Sequence, residues 1–300
     1  MSSLVSVIMA TYNRSNILSY AIRCVLHQTL SEWELIVVGD GCTDDTGEIV
    51  AQFGDARIRF INLPDNVGEQ SGPNNVGLRQ ARGQYIAFLN HDDFWFPDHL
   101  ATALDMLQSN RADFVLSAGF IIQPDDSVDA IGLFADNRYV PNYFVPASGW
   151  VFRREALKVV PNWRSYRLLW IYPSHDFLRR AFRAGLRMVP TNRFTFVHIP
   201  SGNRVNSYRD RQAVEHQHYF QQLTQNSNWR ADLLTKVLLA PKLAWQSRGW
   251  PMLWQGFKNL LKQPFVRRGV VTVEWRMMLK YPRKGDILQS LRIVRGLPKL

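Results

Sequence analysis

Cysteine is almost absent from this chain of 300 residues. Its two cysteines, Cys24 and Cys42, cannot build a disulfide framework, and no Cys-x-x-Cys pair offers a structural zinc site. Such sparing use fits a reducing compartment. No apolar run reaches the eighteen or so residues that a membrane-spanning helix needs. The opening MSSLVSVIMATYNR has no basic segment ahead of its short apolar run, so no secretory signal is expected. Neither GxGxxG nor GxxxxGK[ST] occurs, which excludes the dinucleotide fingerprint and the P-loop. Internal repeats and low-complexity tracts are also missing.

What is present is a globular composition, 46% apolar and 20% charged. The length suits one large domain or two small ones, with a sizeable core. Charge is divided unevenly. Residues 1–200 carry 18 Lys+Arg against 20 Asp+Glu, whereas 201–300 carry 18 against 5. The net charge of +11 therefore comes from the last third, and the two parts should face different partners.

The front of the chain alternates short β-prone runs with helical periodicity. Val5–Ala10, Leu35–Val38, Ile58–Leu63 and Tyr85–Leu89 read as strands. Ile17, Leu18, Ala21, Ile22, Val25 and Leu26 repeat at helical spacing, with Ser15 as N-cap. Helices are also expected over Thr46–Phe53, Pro73–Arg82 and Pro97–Gln108. This order predicts an α/β domain around a mainly parallel sheet. Further on, Asp113–Ile122, Ala147–Phe152 and Val189–Val197 read as strands. A helix is expected from Arg154, and another runs from Ser174-His175-Asp176 to Gly185.

Ligands of such sheets bind beyond the C-terminal ends of the strands. Three polar clusters fall there: Thr11-Tyr12-Asn13-Arg14, Asp40-Gly41-Cys42-Thr43-Asp44-Asp45 and Asn90-His91-Asp92-Asp93. Their acidic content suits a metal-assisted nucleotide site.

Four segments, VSVIMATYNR (5–14), ELIVVGDGCTDDT (34–46), NNVGLRQARGQYIAFLNHDD (74–93) and SHDFLRRAFRAG (174–185), resemble family-2 glycosyltransferases of the nucleotide-sugar-binding GT-A fold. The resemblance covers roughly the first two hundred residues. It implies an inverting transfer from a nucleotide-diphosphate sugar, UDP by default, to a saccharide or lipid-linked saccharide in cell-surface glycan assembly. Asp92 matches the family's metal-binding aspartate, and Mn2+ or Mg2+ would neutralise the departing diphosphate. The first acid of that motif is replaced by Asn90. Asp40 matches the aspartate that binds the base, and Thr11, Tyr12, Asn13 and Arg14 match the loop against base and ribose. The resemblance also places Asn75 among the nucleotide-binding residues, while Asn74 before it stands where the family usually carries a nucleotide-facing Arg. Asp176 matches the general base. His198 resembles a histidine near metal or diphosphate, and Arg204 would pair with phosphate. Asp93, Gly149, Trp150 and His175 are candidates for the acceptor or sugar.

Each of these has a plain structural reading beside it. Asp40 can be a turn residue before Gly41, Asp92, Asp93 and Asp176 can be helix-start acids, and Trp150 can be core.

On this reading residues 1–204 form the catalytic domain, with a nucleotide half (1–100) and an acceptor half (101–204). Residues 205–300 form a helical basic extension. Its leucines, Trp229, Trp245, Trp250, Trp254 and Trp275 suit either an anionic membrane surface or packing on the catalytic domain. Amphipathic stretches are expected over Leu233–Ala240 and Trp254–Leu261. No nucleic-acid motif accompanies the charge. The expected location is cytoplasmic, at the inner face of the membrane if the extension docks there. The rival readings are a non-catalytic scaffold of the same fold and a sugar nucleotidyltransferase.

Overall fold

The computed structural model describes residues 4–134, 138–141, 143–239 and 277–300. Strands β1 (Val5–Thr11), β2 (Trp33–Gly39), β3 (Ile58–Asn62) and β4 (Tyr85–Phe88) alternate with helices α1 (Ser15–Leu26), α2 (Thr46–Ala51) and α3 (Ser71–Gln80). Then come β5 (Phe94–Trp95), α4 (His99–Ser109), β6 (Phe114–Ile122), β7 (Val128–Ile131), β8 (Trp150–Arg153), α5 (Pro173–Arg183), β9 (Met188–His198) and α6 (Val214–Gln225). A C-terminal helix spans Asp286–Val294.

The strands form one sheet in the order β3-β2-β1-β4-β8-β6-β9-β5, with β7 on β6. β1 to β4 pair in parallel. All seven residues of β2 are buried, as expected for a strand covered on both faces. β8 then runs antiparallel between β4 and β6, so the sheet is mixed beyond its first half. Helix α3 lies very close to β1: a Cβ on Gly77 would stand 2.4 Å from Ile8 Cγ2. Gly77 is what permits that approach.

The two-residue strand β5 pairs Phe94 with Val197 of β9, and β6 pairs Ile121 with His198. These registers set the acidic turn 90–93 beside His198. The core between the sheet halves is aromatic. Trp150 stacks on Trp163 at 5.5 Å and on Phe177 at 5.8 Å, each completely or nearly completely buried. Burying side chains of this size contributes about 1.5–3 kcal/mol apiece.

Several local expectations shift. Ser15 opens α1 instead of capping it, because its hydroxyl donates to Asp45. Ala147–Gly149 is a 3-10 turn ahead of β8, and Arg154–Lys158 is 3-10 instead of α-helical. Helix α3 begins at Ser71, with Pro73 in its first turn, where no N–H is needed.

Much of the basic extension packs on the sheet domain. Tyr219, Phe220, Trp229 and Leu233 belong to the main core. Arg230 lies over the Phe96 ring at 4.2 Å and pairs with Asp98. On the C-terminal helix, Ile287 and Leu288 bury against Tyr166. Residues 229–239 are helical, with Leu233 buried and Leu238 and Leu239 exposed. The stretch Trp254–Leu261, with Trp245, Trp250 and Trp275, lies outside the described residues. Among the described residues no helix is long and apolar enough to cross a membrane.

Candidate active site

A cavity of about 390 Å³ opens at the C-terminal ends of the parallel strands. Thr11, Tyr12, Asp40, Asp92 and His198 line it together, although they come from four separate strand ends. The remaining candidate residues do not line it.

One end is built around Asp40. Its carboxylate accepts the backbone N–H groups of Val67 (2.9 Å) and Gly68 (2.8 Å), and the Asn66 amide stands 3.3 Å away. Burial pushes the carboxyl upward, the charge of Glu69 adds to this, and the two amide bonds oppose it. Tyr12 and Arg292 border the same end.

The other end is built around Asp92 and His198. Burial alone would raise the Asp92 carboxyl, but its basic surroundings, with His198 and Arg295 as the cations among them, outweigh it and hold the group well below the usual carboxylate range. Among the described residues this carboxylate accepts no hydrogen bond. His198 donates Nδ1–H to Asp93 Oδ1 at 2.8 Å, which leaves Nε2 free of protein partners among the described residues. Burial would lower its pKa, yet the carboxylates of Asp93 and Asp92 outweigh that and raise it.

Asp93 is fully buried and is the hinge of this arrangement. Besides His198 it accepts Ile199 N–H (3.0 Å), the Asn90 amide (2.9 Å) and the Ser148 hydroxyl (2.5 Å). It orients a cavity residue and has no free edge for an acceptor sugar. His91, one residue before Asp92, donates Nδ1–H to Ala10 O (3.0 Å) and accepts Tyr208 O–H at Nε2 (3.3 Å). Burial holds it neutral, as that pattern requires.

Most other candidates are engaged elsewhere. Asn13 bonds to Thr43 through both amide atoms and ties two strand-end loops together. Arg14 is buried over Tyr208 and donates to Ser207 O. Asn75 clamps the backbone of Trp163 with bonds of 3.0 and 2.8 Å. Arg204 makes a two-pronged ion pair with Glu215 and also donates to Ile122 O and Pro200 O. Trp150 is core, and a Cβ on Gly149 would meet the Phe196 ring at 2.6 Å. His175 donates to Pro141 O at 2.7 Å. Asp176, in the first turn of α5, pairs with Arg180 at 2.7 Å and lies 3.7 Å from Arg164. Tyr172 and Ser174, just before it, are the residues of that segment that reach the cavity.

The sequence reading missed Asn66, Glu69, Tyr208, Arg292 and Arg295, all of which line the cavity. His91 stood inside a quoted motif without a role. The two arginines come from the C-terminal basic region, where the pattern offers a membrane surface or packing on the catalytic domain but no cavity role.

Among the described residues no group of three or more His, Cys, Asp or Glu side chains converges on a metal position. Asp92 and His198 are two donors, one oxygen and one nitrogen. The histidine is oriented by a carboxylate on its other nitrogen, the usual support for a ligating imidazole. A hard divalent cation that completes its shell with diphosphate oxygens and water fits this pair.

The mixed sheet with its strand-end cavity defines a GT-A-like nucleotide-sugar-binding fold. The chain belongs to glycosyl transferase family 2, whose model matches residues 6–160. It is 38% identical over 112 residues to the UDP-Glc:alpha-D-GlcNAc-diphosphoundecaprenol beta-1,3-glucosyltransferase WfgD of Escherichia coli, covering 37% of this chain and 44% of that protein. It is 27% identical over 221 residues to the glycosyltransferase GlyG of Streptococcus pneumoniae, covering 73% and 66% respectively. The matches thus span less than two thirds of either relative's length.

Among solved structures, TarS 1-349 of S. aureus with UDP-GlcNAc shares the fold at a TM-score of 0.57 and 18% identity, over 97% of this chain and 90% of that one. The mannosyltransferase PcManGT of Pyrobaculum calidifontis, solved with GDP-Man and Mn2+, does so at 0.57 and 17%, over 97% and 88%. These likenesses concern the fold.

Proposed function

We propose that this glycosyltransferase moves a sugar from a UDP-sugar to a lipid-linked saccharide acceptor, with inversion at the anomeric carbon. The observation that carries the reading is that Asp40 and Tyr12, suited to a base and ribose, and Asp92 and His198, suited to a cation and diphosphate, line one cavity of about 390 Å³. Support for the acceptor class comes from relatives such as WfgD, whose name specifies a diphosphoundecaprenol-linked GlcNAc. A divalent cation held by Asp92 and His198 would offset the charge on the leaving diphosphate.

The chain's own residues account for the rest. Asp40 accepts a base N–H, and Tyr12 lies along base or ribose. Asp93 fixes the His198 ring. The acceptor hydroxyl attacks C1 opposite the diphosphate, the C1–O bond breaks with its electron pair leaving on the nucleotide, and the hydroxyl proton passes to Asp176. Asp176 is proposed because it is the carboxylate of the segment whose Tyr172 and Ser174 line the cavity. The exposed leucines at 238 and 239 and the basic charge after 205 support docking at an anionic membrane face, where such an acceptor resides.

A thermal-shift panel tests the reading. UDP, GDP, dTDP and CMP are each added with Mn2+, with Mg2+ and with chelator. A ligand of the native state raises Tm by mass action. Metal-dependent stabilisation by UDP above the others is expected. No shift with any nucleotide would favour the scaffold. For the base, Asp176→Asn should abolish transfer with the fold intact, and full activity would remove that assignment.

A further inference from the structure

Among the described residues, Arg295 is a cavity cation whose guanidinium has no hydrogen-bond or ion-pair partner. His198 spends Nδ1–H on Asp93 and its Nε2 is assigned above to a cation, and Arg292 donates to Pro298 O (2.7 Å) and Gly68 O (3.1 Å). Arg295 differs. Its guanidinium makes no hydrogen bond or ion pair among the described residues, and its Nε is buried without a partner. A guanidinium carries five N–H donors in a rigid fork that matches phosphate oxygens. Leaving a buried donor such as this Nε unpaired is costly, and Arg295 lines the cavity, so the unpaired guanidinium points to a ligand there.

The backbone presents Arg295 deliberately. It caps the C-terminal helix, and Gly296 follows with φ +76. Leu297 N–H bonds to Arg292 O at 2.8 Å and Gly296 N–H to Ile293 O at 3.0 Å, the paired closure of a left-handed helix stop. The helix-end carbonyls are thereby satisfied by backbone, and the Arg295 side chain is not needed to cap them. Two further bonds, Asn206 N–H to Val294 O (2.7 Å) and Tyr208 N–H to Arg295 O (3.0 Å), fasten this corner to the loop after β9. The Tyr208 ring lies 5.6 Å from the Arg295 guanidinium carbon. Arg295 is also central: its charge is felt by Asp92, His91, Tyr208, Tyr166 and Tyr172.

We infer that Arg295, carried in by the C-terminal helix, binds the diphosphate of the nucleotide donor in the cavity that Asp92 also lines. This inference rests on the nucleotide-site reading above. A full-sequence chain completes its phosphate site only when residues 286–297 are docked on the loop after β9.

The test is calorimetric titration of the full chain with UDP and with uridine, in parallel with GDP and guanosine, at fixed Mn2+. A charge-assisted bond of about 1.5–3 kcal/mol corresponds to roughly a 10- to 100-fold loss. Arg295→Gln should weaken the bound diphosphate by that factor and change the matching nucleoside less than twofold. Arg295→Lys keeps the charge without the fork and should fall between. Should Arg295→Gln not fold, a loss for Arg295→Lys on the diphosphate alone supports the inference. Equal losses on nucleoside and diphosphate would assign Arg295 to shaping the fold and overturn it. Unchanged affinity in both variants would also overturn it while leaving the site reading intact. A wild-type chain that binds neither UDP nor GDP would sink the site reading itself, and this inference with it.

Discussion

Replacing Asp93 by asparagine should separate a positioning carboxylate from a ligand-binding one. Asp93 Oδ1 accepts His198 Nδ1–H and Ile199 N–H, and Oδ2 accepts the Asn90 amide and the Ser148 hydroxyl, all without solvent. In Asp93→Asn a carbonyl can still serve the first pair. The new NH2 then meets the Asn90 amide, donor against donor. The Ser148 hydroxyl can turn away, but its oxygen already accepts Asn90 N–H. One buried donor clash and one lost charge partner for His198 cost about 1–3 kcal/mol. Urea unfolding should show this as a midpoint lower by roughly 0.5–1 M at ordinary m-values.

The pH dependence carries a sign. The folded pKa of His198 is raised, so its contribution is full below the unfolded value near 6.5 and disappears as pH rises through the folded pKa. The deficit of Asp93→Asn should therefore be larger at pH 6 than at pH 9. In the variant, the imidazole resonances of His198 should titrate at lower pH. A wild-type midpoint together with an unmoved His198 titration would refute the argument.

Asn75→Ala should lower stability by about 1–3 kcal/mol, because it strands the Trp163 backbone groups, while UDP affinity stays within twofold; a large selective loss of affinity would return Asn75 to the nucleotide site. Asp92→Asn should remove the metal-dependent part of nucleotide stabilisation in the thermal-shift panel and leave the metal-free part; an unchanged metal response would clear Asp92 of that role. Burial pushes His99 down to about 3 and His216 to about 4, so both fold as neutral rings. Since their folded values lie below the unfolded one, stability should fall as pH drops below about 6.5, by about 1.4 kcal/mol per pH unit for each ring. A flat stability curve between pH 6.5 and 5 would contradict this.

The parallel half of the sheet was legible because β1, β2 and β3 are short, mainly apolar, β-prone runs that alternate with helical periodicity. Asp40, Asp92 and Tyr12 were legible because a parallel sheet exposes its strand ends. The antiparallel insertion of β8 was not, since Trp150–Arg153 has the same apolar character whichever neighbour it pairs with. β5 was hidden by its two-residue length, and with it the Asp93–His198 contact, which depends on register. Asn75 and Arg204 have the right chemistry in the right neighbourhood, but α3 and the turn after β9 aim them at backbone and at Glu215. Arg292 and Arg295 were beyond reach of any local pattern, because they meet Gly68 and Tyr208 through tertiary docking alone.

That docking also bears on when the site can exist during folding. The bond from Arg292 to Gly68 closes 224 residues of chain, and that from Arg14 to Ser207 closes 193. Such closures cost only about 0.6 kcal/mol per doubling of length, but they raise contact order and defer assembly. The β1–β4 half can gather from near neighbours while later segments are still being synthesised. The rim of the cavity must await residues 286–297, so a nascent chain held short of position 286 should present a folded sheet that does not yet retain its nucleotide.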